Sequence, residues 1–117
     1  MKIVQAINAM ISHQEQITNV KRNDQEYFFL YKERYKWSII LNSQGDYILH
    51  LYTSETLTIE DLAAIPSEYW DTIDYVTYKN SEIKTQEAHE SFSELFRIVQ
   101  NKLLGADQIL DDILSDF

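Results

Sequence analysis

The chain predicts an α+β fold: an antiparallel sheet of about four strands, a three-stranded meander plus one, packed by an N-terminal helix and a long C-terminal helix in the order α-β-β-β-α-β-α-α. Two patterns carry the prediction. Apolar residues recur at helical spacing near both ends, as Ile3, Val4, Ile7, Met10 and Ile11 and again as Ala88, Phe92, Leu95, Phe96, Val99 and Leu103. Between them, aromatic and β-branched runs alternate with short polar links. Two glycines and one proline in 117 residues leave little room for a flexible boundary, so residues 1–117 are read as one domain. That length buries roughly two-thirds of the unfolded surface without staples.

The opening helix ends near residue 15, with Gln5, Asn8, Ser12, Gln14 and Glu15 on its expected outer side. Three strands follow: Tyr27 to Tyr31, Tyr35 to Leu41 and Tyr47 to Thr53. In the second, Tyr35, Trp37, Ile39 and Leu41 alternate with Lys36, Ser38 and Ile40, the period of a half-buried antiparallel strand. Lys32–Arg34 and Asn42–Asp46 are the links, with Gly45 suited to positive φ. Thr58 with Asp61 three residues later reads as a capping box opening a short helix before Pro66. Asp74 to Lys79 supplies the fourth strand. The long helix runs from about Thr85 to Leu104 and stops at Gly105; a short terminal helix follows, with Ile109, Leu110, Ile113, Leu114 and Phe117 on one side and Asp111, Asp112 and Asp116 elsewhere.

Charge is unevenly divided. Residues 1–36 hold six basic and four acidic side chains, whereas residues 37–117 hold four and fifteen, so the net −9 belongs to the second part. A field of that sign repels phosphate backbones and anionic lipid and favours basic partners. The expectation is therefore no nucleic acid and no membrane. No window approaches the ~18 apolar residues that a membrane span needs. The absence of cysteine removes disulfides, thiolate nucleophiles and sulfur-bound metals. Gln5 and Asn8 interrupt what would be an apolar signal segment, and the chain is expected to be cytoplasmic.

No catalytic, cofactor-binding or metal-binding residues are expected. His13, His50 and His89 have no second histidine at ligand spacing and read as hydrogen-bonded structural residues. The acidic pairs Glu60–Asp61, Asp71 with Asp74, Glu90 with Glu94, and Asp111–Asp112 are neighbours on one surface, not carboxylates facing across a cleft. Glu60 and Asp61 suit the positive end of their helix. The glycine-rich loops that cradle phosphate and the G-x-S-x-G nucleophile turn are missing, so the chain reads as no enzyme.

Aromatic residues are the remaining anomaly. Phe28 and Leu30 point opposite to Tyr27, Phe29 and Tyr31, so both sheet faces carry apolar rings, and the second is either covered or an interface. After Pro66, Glu68-Tyr69-Trp70-Asp71 sets a Trp among acids, as a lid over the core or an anchor for a basic partner. Glu60, Asp61, Glu68, Tyr69, Trp70, Asp71 and Asp74 are thus the candidate partner-binding residues.

Three functions follow. The favoured one is a small acidic interaction module, such as an inhibitor, an immunity protein or a nucleic-acid mimic, bound to a basic protein partner. A second rests on element order: helix, three strands, helix, strand, helix over about residues 2 to 103 resembles type III secretion chaperones, though without one strand before the last helix. That resemblance implies a homodimeric adaptor for secreted proteins. The third is a small-ligand-binding domain with a pocket under the sheet.

Overall fold

The computed structural model describes residues 1–115, apart from the Asp107 side chain. Five antiparallel strands form one meander in the order β1 (Ile17–Asn23), β2 (Glu26–Tyr31), β3 (Tyr35–Leu41), β4 (Tyr47–Tyr52) and β5 (Tyr75–Lys79). Helix α1 (Lys2–Ser12) precedes the sheet, α2 (Ile59–Ala64) and a 3₁₀ segment (Ser67–Thr72) link β4 to β5, and α3 (Asn80–Ile83), α4 (Gln86–Leu104) and α5 (Ala106–Ser115) follow it. The α+β class and the order of elements agree with the sequence reading; the sheet gains β1. That strand is an edge with a register shift between Thr18 and Lys21 and a left-handed Asn19 (φ 54). A bulge breaks period-2 alternation, and Lys21, Arg22 and Asn23 are exposed, so little apolar pattern remains to mark it.

Local chemistry fixes the ends of the elements. The Thr58 N–H donates to Asp61 Oδ2 at 3.0 Å and the Asp61 N–H to Thr58 Oγ1 at 3.1 Å, closing the capping box. Gly105 ends α4 at φ 68 and its N–H reaches the Asn101 carbonyl, while Gly45 turns the β3–β4 link at φ 79. Asp46 then accepts from the Ser81 N–H and hydroxyl, tying that turn to the start of α3.

Because strand side chains alternate, the register sorts the sheet into two faces. The row Tyr27, Ile39, Leu49, Tyr78 and the row Phe29, Trp37, Leu51, Val76 share one face. Helices α1 and α4 cover it, burying Ile7, Met10, Ala88, Phe92, Leu95 and Val99 against Tyr27, Phe29, Ile39 and Leu49. Phe96 is only half-buried, edge-on to Tyr27 with centroids 5.5 Å apart. Asn8, expected on the outer side of α1 with the exposed Gln5 and Ser12, instead turns toward α4 and accepts a 2.7 Å hydrogen bond from buried Ser91. The opposite face carries the row Phe28, Ser38, His50, Thr77 and, next to it, Leu30, Lys36, Tyr52, Tyr75. Here α2 and the 3₁₀ segment form the cover, with Ile59 and Leu62 packed on Phe28 and Tyr52 in a second, smaller core. Helices therefore lie on both faces, and the second aromatic face is covered in part by α2 and the 3₁₀ segment. Of the predicted terminal stripe, Asp116 and Phe117 lie outside the described residues.

Candidate interaction surface

The predicted site is divided by the fold. Glu60 and Asp61 sit in the first turn of α2, where Asp61 is engaged in the capping box. Backbone hydrogen bonding, helped by the Asn19 side chain and by Lys21, holds the Glu60 carboxyl below its usual range. Both acids serve the helix terminus beside β1. Glu68, Tyr69, Trp70 and Asp71 lie instead on the 3₁₀ segment, followed by Asp74 at the entry to β5. Glu68, Asp71 and Asp74 are exposed and Tyr69 is 56% exposed, while Trp70 is half-buried.

Trp70 points inward. It stacks on Phe28 with centroids 6.2 Å apart and planes 14° apart, lies 6.1 Å from Tyr52 and meets Tyr75 edge-on at 6.3 Å. Small Ser38, between Phe28 and His50 in the cross-strand row, leaves room for Tyr52 to reach across the sheet. The indole is thus the lid of the second core, and it clamps the segment that displays Glu68, Tyr69 and Asp71. On this segment the aromatic exposed to a partner is Tyr69. It borders a cleft of about 520 Å³ whose wall also includes Pro66, Ile73 and Asp74.

Under the lid is a polar cluster that sequence reasoning missed. Glu26 Oε2 accepts from Ser38 Oγ at 2.5 Å and from the Tyr52 hydroxyl at 3.1 Å, and the two hydroxyls are 2.8 Å apart. Burial raises the Glu26 pKa above its usual value, while those two hydrogen bonds pull it back. Burial and the adjacent Glu26 carboxylate push the Tyr52 phenol far above its ordinary range. His50, whose Nδ1 is 3.0 Å from Thr77 Oγ1, is lowered by burial and by Lys79. Glu26, His50, Tyr52, Trp70 and Tyr75 line a recess of about 210 Å³. The signal for Glu26 was parity: it precedes Phe28 by two residues, so it shares the face of a buried ring.

His89, on α4, has Nδ1 3.1 Å from Asn80 Nδ2 and lies against Tyr47. Among the described residues no three His, Asp or Glu side chains converge on a metal-sized position, and no helix is long and apolar enough to cross a membrane. No family model, curated protein or solved structure matches the chain, so the likeness to secretion chaperones rests on element order alone.

Proposed function

We propose that the chain is a small acidic protein-interaction module, of the inhibitor, immunity or nucleic-acid-mimic kind, whose partner is a basic protein. The observation that carries this reading is the coincidence, between residues 37 and 78, of one-sided charge with a segment anchored by Trp70. That stretch has seven acids and no Lys or Arg, and Glu68, Asp71 and Asp74 stand exposed beside Tyr69 on the segment that Trp70 clamps. Surface carboxylates of one sign steer a basic partner to encounter, and an exposed Tyr on a held segment adds contact area with little ordering cost. Lys36, the last base before the stretch, donates to the Ser54 and Leu57 carbonyls, so its ammonium is engaged with backbone.

The same charge argues against nucleic acid and anionic lipid as partners. Binding is favoured over catalysis because the hydroxyl nearest a carboxylate, Ser38, is fully buried beneath aromatic side chains. The cytoplasmic reading rests on Gln5 and Asn8, which interrupt the apolar run near the N-terminus. The adaptor reading draws on a different observation, the exposed apolar stripe of α5.

The test is association kinetics against a panel of small basic proteins, nucleases among them, with duplex DNA alongside, at low and physiological salt. Binding to a basic protein with an on-rate that falls as salt rises, and none to DNA, is the expected result. Tight DNA binding, or an affinity indifferent to salt, would remove the electrostatic reading.

A further inference from the structure

Among the described residues two apolar surfaces are left without a partner, and they lie at opposite edges of the sheet. The first is α5. Ile109, Leu110, Ile113 and Leu114 are 57, 56, 52 and 68% exposed, a large contiguous patch for a soluble chain. At 100° per residue these four fall within one arc of the helix, with Asp111 and Asp112 on its two flanks. No base follows Lys102. The second is a groove of about 810 Å³ between α1 and the β3–β5 part of the sheet, walled by Ile3, Met10, Tyr31, Trp37, Leu51 and Tyr78. Three of its four charged lining residues are Lys2, Lys32 and Lys79, the fourth being Glu82, although the chain as a whole is strongly acidic. The buried Trp37 indole N–H in its wall has no acceptor among the described residues.

Helix α5 cannot reach the groove of its own chain without rebuilding the α4–α5 junction. Gly105 alone separates the two helices, and Gln108 and Asp111 line a cleft with Ile17, Thr18 and Val20 at the β1 edge. The groove opens at the other side, toward β5 and α3. An acidic-flanked apolar helix and a lysine-rimmed apolar groove on one molecule therefore complement each other between molecules. We propose that the chain self-associates, with α5 of one copy lying in the α1–sheet groove of a second copy. Ten helical residues span about 15 Å, the scale of a helix-in-groove contact with anchors at i, i+1, i+4 and i+5. Because the helix and the groove lie at opposite edges of the sheet, the contact is heterologous and joins copies head to tail. This surface is separate from the acidic segment at residues 68–74.

Sedimentation of the full chain over a wide concentration range tests the proposal, together with two variants changed only at exposed positions. Leu110→Asp with Ile113→Asp spoils the helix face, and Ala9→Glu places an acid in the groove. The wild type is expected to self-associate with rising concentration, and each variant to weaken association by at least about tenfold with an unchanged circular dichroism spectrum. Mixing the two variants is the decisive arm, because one retains an intact helix and the other an intact groove. A one-to-one heterodimer is expected. A monomeric wild type overturns the proposal, as does a mixture that stays monomeric; an Ala9→Glu variant that associates as tightly as the wild type also overturns it and would show α5 packing on α5 instead.

Discussion

The two faces of the sheet are built differently. The face under α1 and α4 is aliphatic and aromatic, with Ile7, Phe29, Ile39, Leu49, Phe92, Leu95 and Val99 removed from water. The opposite face closes a smaller core around Phe28, Ile59 and Leu62 and holds a half-buried carboxylate, a serine and a tyrosine within it. Apolar burial on the first face supplies stability roughly in proportion to area. On the second, each polar atom needs a partner to avoid a desolvation cost, so packing there specifies position more than it adds stability. The partner-facing segment is attached to the second face. Its geometry therefore depends on Trp70, and the global fold depends on α4.

The largest expected effect lies on the first face. Phe92→Ala should destabilise by about 3 to 5 kcal/mol in chemical denaturation, because the ring is fully buried and its loss leaves a cavity. Phe96→Ala should cost clearly less, since half-buried Phe96 touches Tyr27 and Tyr47 at the margin. Equal losses would mean that the margin is as well sealed as the centre. Trp70→Ala comes next, at about 2 kcal/mol by the same logic for a partly exposed ring. It should also speed hydrogen exchange in residues 67–74 ahead of α4; uniform exchange would contradict the separate role given to the second face.

The difference between the faces also explains what was legible. Elements with one strong period stood out: the α4 stripe, the β3 alternation, and the Thr58 and Gly105 boundaries, because each is a local rule with local donors and acceptors. Strand β1 did not, since three of its seven residues are exposed and its bulge shifts the parity on which strand recognition relies. The acids of the candidate surface were readable as charge but not as roles. Asp61 is consumed by a cap, and Trp70 faces inward to rings on β2, β4 and β5, partners that only tertiary structure brings together. Glu26, whose parity placed it on the face of Phe28, lies in the basic third of the sequence, where an acid is easily taken for surface decoration.

Charge reversal sharpens the comparison at intermediate size. Asp71→Lys with Asp74→Lys should slow association with a basic partner several-fold at low salt, and the gap should narrow as the Debye length falls below ~10 Å. Glu15→Lys, an exposed change in the basic third, should have a much smaller effect. Thermal stability should be nearly unaltered in both, as surface substitutions normally are. If Glu15→Lys slows association as much, steering comes from net charge and not from the segment.

The smallest effect belongs to Glu26. Its folded pKa is raised above 4.5 chiefly by burial, so the folded state binds the proton more tightly than the unfolded chain does. The resulting penalty is absent below the unfolded pKa, where both states are protonated. It grows as pH rises through 4.5 toward the folded pKa and is constant above it. Glu26→Gln keeps an acceptor for Ser38 and Tyr52 and removes the charge, so its melting temperature relative to wild type should rise between pH 4 and pH 7. Two hydroxyl donors already stabilise the carboxylate, which keeps the gain small. A Gln variant that loses stability as pH rises from 4 to 7, relative to wild type, would show that the ionised carboxylate strengthens the second face, and that the two faces differ less than their composition implies.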